Sequence, residues 1–168
     1  MSDLDDNIQI VSLSAKDSAG LKFISDCYVR GLEEENQSSP LSSWRQLTAD
    51  ASQKIFCYFQ QVLSSEHLKQ VVYVAKMGDQ FIGYIYVFVR KCEGEIPNEI
   101  GVINGLYISE LFRNRGVAQF LLNKALTWFK SYGIAYTELT VNIGNDAAKS
   151  FWKKNGFNVC EYLLSKRI

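Results

Sequence analysis

An apolar run at residues 100–108 passes through a short polar turn, Arg113-Asn114-Arg115-Gly116-Val117-Ala118, into a segment of helical periodicity, and this junction constrains the fold more than any other stretch. It joins an apolar strand directly to an amphipathic helix, as a chain of mixed α/β class does, in a turn built to hold phosphate. Gly116 and Ala118 keep the backbone open to close approach, and the first N–H groups of the following helix have no intrahelical partners. Those donors, with the helix dipole, favour an anion such as a pyrophosphate. Arg113 and Arg115 add planar donor forks of fixed charge. On these residues alone the turn is either an anion site or an ordinary strand-to-helix connection with two solvated arginines.

Two familiar phosphate loops are excluded. The turn lacks the glycine spacing followed by Lys and Ser/Thr that serves nucleotide hydrolysis, and it lacks the dinucleotide glycine triplet. A chain of 168 residues, 47% hydrophobic and 13% aromatic, is near the ~150 residues of one domain and has ample material for a core. Residues 1–168 therefore read as a single domain. The 18 basic and 18 acidic residues balance, so no overall field recruits nucleic acid or an anionic membrane. Residues 1–6 are acidic and lack the features of a signal peptide, and no apolar run approaches the ~20 residues needed to span a bilayer. A cytoplasmic protein is expected. Cys27, Cys57, Cys92 and Cys160 are scattered without a C-x-x-C pair, and His67 is the single histidine, a pattern of reduced thiols rather than of a metal or disulfide framework.

The remaining periodicities alternate strand and helix. Residues 7–13 alternate as a first strand, 17–32 read as a helix, 33–40 as a loop, and 44–63 as a second helix from Trp44 onward. Residues 71–77 and 81–90 form a hairpin around Gly78-Asp79-Gln80, and 91–98 a further turn before the strand at 100–108. In the helix at 118–132 the stripe of Ala118, Leu121, Leu122, Ala125, Trp128, Phe129 and Tyr132 is core, and Gly133 is its stop. A strand at 136–142, a short helix at 146–155 and a last strand at 157–164 complete the pattern.

Arg113-x-x-Gly116-x-Ala118, after Leu106-Tyr107-Ile108 and before a long amphipathic helix, resembles the acetyl-coenzyme A loop of the GNAT superfamily of N-acetyltransferases. A second signature follows at the expected distance, from Asn145-Asp146-Ala147-Ala148 to Trp152 and Gly156-Phe157. The close match spans residues 103–157. It implies one GNAT-type domain: a mixed, mostly antiparallel sheet flanked by helices, with the fourth and fifth strands splayed at a bulge to admit the pantetheine arm. Gly105 is the expected bulge residue.

The resemblance further implies that acetyl-CoA is the cosubstrate and that its acetyl group passes to a primary amine of a small molecule or peptide, by direct attack in a ternary complex. The backbone N–H of Leu106 would polarise the thioester, an effect worth ~3 kcal/mol in comparable sites. Tyr107 and Ile108 would flank the pantetheine, the turn Arg113, Asn114, Arg115, Gly116, Val117 and Ala118 would cradle the phosphates, and Asn145, Ala148 and Trp152 would meet the arm from the short helix.

Two positions depart from the family pattern. Trp152 stands where a tyrosine usually protonates the departing thiolate, and an indole N–H cannot release that proton. Asn104 stands where related small-amine acetyltransferases can carry a carboxylate, and an amide cannot act as a base. Glu99, Tyr107, Tyr84 and Tyr86 are the nearby proton-transfer candidates. Glu33, Glu34 and Glu35 are either an acidic lure for a cationic acceptor or a solvated helix end. The alternative to catalysis is a catalytically weak acyl-CoA-binding sensor or interaction module. No metal, nucleic acid or membrane is expected, and the chain would be a monomer or homodimer.

Overall fold

The computed structural model describes residues 7–38 and 46–166. In chain order these form β1 (Ile8–Ser12), α1 (Ser18–Ser38), α2 (Ala51–Leu63), β2 (Gln70–Met77), β3 (Gln80–Lys91), β4 (Glu99–Ile108), a 3-10 turn (Glu110–Phe112), α3 (Val117–Ser131), β5 (Thr137–Leu139) and α4 (Asp146–Lys154). The strands lie in sequence order in one sheet of five. The β1, β2, β3 and β4 pairings are antiparallel, and β5 joins β4 in parallel. This is the mixed, mostly antiparallel sheet flanked by helices that the resemblance implies.

Each face of the sheet has its own core. Ile82, Ile85, Val87, Ile103 and Ile108 meet the apolar stripe of α3, Leu121, Leu122, Ala125 and Phe129. On the other face Val72, Val74, Tyr84 and Tyr86 meet Leu21 and Ile24 of α1 and Phe59 of α2. With both faces covered, the central strands are continuously apolar; β3 is buried from Ile82 to Val87. Helix α3 packs on β4 over Gly101. A Cβ at Gly101 would lie 2.6 Å from the Phe129 ring, so glycine sets that approach. Gly133, at φ 71°, ends the helix, and Ile134 N–H returns to the Phe129 carbonyl at 3.1 Å.

Four expectations are corrected. The helix predicted for 17–32 continues to Ser38, so 33–38 are helical and not a loop. Glutamate, asparagine and glutamine interrupt nothing there, and glutamate is a good helix former. The second helix begins at Ala51; Trp44 and the rest of 39–45 lie outside the described residues, as do residues 1–6. The strand predicted for 136–142 is only Thr137–Leu139, because β4 gives it a partner only at Gly101–Ile103. Residues 157–164 form no strand. A strand exists through its ladder, and no strand among the described residues lies beside them, so Val159, Tyr162, Leu163 and Leu164 are exposed.

Two measurements check this packing. Gly101→Ala should lower stability by about 1–3 kcal/mol in urea unfolding, because the added methyl meets an aromatic ring that has no room to yield. A thiol reagent should modify Cys57 and Cys160 in the native protein, and Cys27 and Cys92 only after denaturation. Burial pushes the Cys27 thiol up to about 12, which removes its thiolate at neutral pH.

Candidate active site

The site begins with a mismatch of one residue. Opposite β3, Gly105 pairs with Tyr86 and Ile103 with Val87, leaving Asn104 without a counterpart. Asn104 is thus the extra residue of a β-bulge and Gly105 the one after it. Gly105 also lets the Tyr84 hydroxyl approach, to 3.2 Å of where a Cβ would stand.

The bulge resets both alternations of the strand. Gly101 N–H donates to Tyr136 O, across to the β5 side. Without a bulge, odd-numbered residues would keep facing that side. Beyond it, Ser109 N–H donates to Ile82 O on β3, so Ser109 and Tyr107 face β3 while Leu106 and Ile108 direct their backbone groups the other way. There β5 has already left, since its pairing stops at Ile103 and Leu139. Leu106 and Ile108 therefore present main-chain donors along an edge with no strand beside it among the described residues. Their side chains, with Leu139, Ala148 and Trp152, belong to the α3-side apolar cluster.

The turn into α3 lies beyond the end of this edge. Asn114 and Gly116 take left-handed backbone, φ 59° and 83°. A successive-N–H concavity is formed by such left-handed turns. Gln119 and Phe120 N–H both donate to the Gly116 carbonyl, so the N–H groups of Val117 and Ala118 precede the helix's first bonds. Arg115 is exposed, its guanidinium 5.8 Å from the Phe112 ring.

Arg113 behaves differently. Its Nε donates to Ile108 O at 3.0 Å and its Nη2 to both Glu34 oxygens at 2.9 and 3.0 Å, with the guanidinium 5.3 Å from the Tyr107 ring centre. Tyr107 Oη also donates to Glu34, at 3.0 Å. Burial works against the Arg113 charge but the Glu34 carboxylate outweighs it, so its pKa is raised. Burial, and then the bond to Glu34, raise that of Tyr107. The pair itself is 39% and 41% exposed and worth about 1 kcal/mol or less. Glu34 is the partner that sequence reasoning did not single out from Glu33 and Glu35. Its signal is the helical face Cys27, Gly31, Glu34, which the turn chemistry of residues 33–40 hides.

On the far side, Asn145 caps α4: its Oδ1 accepts from Ala148 N–H at 3.0 Å, which leaves the side-chain NH₂ as a donor. Trp152 is 8% exposed, held edge-on between Phe151 and Phe157 at 5.0 and 5.2 Å. Asn104 is exposed on the bulge. The proton-transfer candidates fall elsewhere or are silent. Glu99 is paired with Lys69 at 2.8 Å near the start of β4, and burial drives the Tyr84 and Tyr86 hydroxyls far above their ordinary range, which excludes them as bases at neutral pH. Two surface depressions, about 380 Å³ beside β1 and α3 and about 400 Å³ at the tip of β3 and β4, lie away from this edge. The candidate site is a parted pair of strands.

A five-stranded sheet parted after Ile103, with α3 rising from a left-handed turn beyond the parting, is the architecture of an acetyltransferase domain. The acetyltransferase (GNAT) family matches residues 29–157, and the chain belongs to that family. Its sequence is 27% identical over 85 residues to an uncharacterized N-acetyltransferase of Methanocaldococcus jannaschii, a match covering 51% of this chain and 38% of that one. The chain thus spans well under half of that relative's length. In fold it resembles a predicted acetyltransferase of Clostridium acetobutylicum solved with acetyl-CoA, at TM-score 0.74 and 20% identity over 95% of this chain and 96% of that one. It likewise resembles an aminoglycoside acetyltransferase from an uncultured soil metagenomic sample in complex with sisomicin, at TM-score 0.70 and 16% identity over 99% and 98%.

The cap gives a direct test of how α4 is held. Asn145→Ala should destabilise the protein by about 1 kcal/mol in urea unfolding, because a nine-residue helix loses the side-chain cap of its first turn.

Proposed function

We propose that this chain transfers an acetyl group from acetyl-CoA to a primary amine of a small molecule or peptide, by direct attack in a ternary complex. The observation that carries the reading is the unpartnered edge of β4, where the bulge at Asn104 turns the backbone of Leu106 and Ile108 toward the space that β5 vacates. An extended pantetheine arm has the amide spacing to lie along such an edge as a strand does. The backbone turn from Arg113 to Ala118, with the Arg115 side chain, then stands where the arm's phosphates would fall.

Acetyl-CoA supplies the activated acyl group; the residues supply placement and charge stabilisation. The Leu106 N–H would donate to the carbonyl oxygen as the amine nitrogen bonds to the acyl carbon, and would hold the oxyanion until the carbon–sulfur bond breaks. The Asn145 NH₂ would donate to the arm from the opposite wall, and Trp152 would close the apolar end near the sulfur. The ammonium proton passes to water, and the departing thiolate needs little acid help because thiols are far more acidic than alcohols. The acceptor class is supported by a structural neighbour that binds sisomicin, and acetyl-CoA by one solved with it.

A second reading is favoured by one pair of positions. Asn104 and Trp152 offer no titratable group where a base and an acid would stand, which suits an acyl-CoA-binding module with weak turnover.

Calorimetry separates these outcomes. Wild-type protein should bind acetyl-CoA saturably, an Arg115→Glu, Gly116→Trp double variant should lose at least tenfold in affinity, and ATP should compete poorly. Free-CoA release with a panel of polyamines, aminoglycosides and peptides then reports turnover. Binding without release on any amine would select the second reading; absence of acetyl-CoA and CoA binding would sink both.

A further inference from the structure

Arg113 stands at the position where the loop would be expected to direct a cation at phosphate, yet its side chain turns back over the end of β4. All its described contacts lie there: Ile108 O, both Glu34 oxygens and the face of Tyr107. Glu34 also accepts from Tyr107 Oη, so one carboxylate gathers two residues that flank the end of the strand. Tyr107 in turn lies against α1 at Gly31, where a Cβ would be 3.5 Å from its ring. Ile108 O belongs to the same backbone phase as the donors of the open edge, and Arg113 has already taken it.

We propose that Glu34 is a positioning residue: acting through Arg113, it fixes the C-terminal end of β4 and caps the Ile108 carbonyl. What remains for an incoming strand-like ligand is then the Leu106 backbone and the Ile108 N–H. This rests on reading that edge as the acyl-CoA slot, and it assigns the phosphate-facing cation to Arg115 instead of Arg113. Helix α1 thereby becomes part of the cofactor side of the site without touching the cofactor.

The test has a part that needs no ligand. In the free protein, hydrogen exchange at the Tyr107 and Ser109 amides should quicken about threefold to fivefold in Glu34→Gln and in Arg113→Gln. It should quicken no further in the double variant, because both changes remove one linked contact. Leu121 and Leu122 amides in α3 should keep their wild-type rates. Unchanged rates at Tyr107 and Ser109, or a rise shared with α3, would overturn the proposal whatever the ligand data show.

The second part uses CoA and pantetheine as probes. Glu34→Gln and Arg113→Gln should each weaken both probes by a similar threefold to fivefold, whereas Arg115→Gln should weaken CoA alone and flatten its salt dependence. An Arg113→Gln profile that copies Arg115→Gln would make Arg113 a phosphate ligand and remove the positioning role. If wild type binds neither probe, the acyl-CoA reading fails, and the exchange rates alone still decide whether Glu34 holds the strand end.

Discussion

The separation of β4 from β5 after Ile103 is the constraint on which the rest of the site depends. Hydrogen bonding normally drives adjacent strands to pair along their whole length, since unpaired backbone groups in an apolar setting are costly. Here the parallel ladder ends after a few residues, and a bulge at the same level turns the next donors toward the gap. The apolar residues on either side, Leu106 and Leu139, still share one cluster with Ala148 and Trp152. The gap is therefore walled by packing rather than by flexible loops, and backbone donors face it from a strand anchored on its other edge by β3.

That anchoring explains why the two helical layers carry different duties. Helix α3, pressed on Gly101 through Phe129, sets where the left-handed turn and its free N–H groups lie relative to the gap. Helix α1, on the other face, reaches the same strand end through Glu34, Arg113 and Tyr107. The sheet between them is buried on both faces at its centre, so a displacement of either helix would be felt at β4 before it could be absorbed elsewhere.

Much of this was legible in the sequence, and the exceptions have physical causes. Period-two and period-3.6 patterns located β1 to β4, α3 and α4, because burial on one or both faces writes itself into residue type. The positive-φ glycines at 78, 116 and 133 marked turns for the same kind of reason. Local pattern failed where long-range partnership decides. Residues 157–164 read as a strand yet lack a ladder; Glu33 to Ser38 are a local exception, since glutamates beside turn-forming residues still continue a helix. The bulge is expected near Gly105, but which residue is unpaired depends on the register of β3, and Arg113 is legible as a cation while nothing in its neighbourhood of the sequence links it to the carboxylate 79 residues earlier that holds it.

The single unpaired residue at Asn104 has a consequence for how this surface can change over generations. The donors that matter belong to the main chain, so replacing the Leu106 or Ile108 side chain leaves them in place. Gain or loss of one codon near the bulge would instead exchange the two sides of the strand's end, sending Tyr107 and its hydroxyl into the apolar layer under α3 and turning the donors back onto β3. Drift by substitution is therefore tolerated along β4 in a way that drift by length is not, and a chain of this design can lose sequence likeness to its relatives while keeping their counting of residues intact.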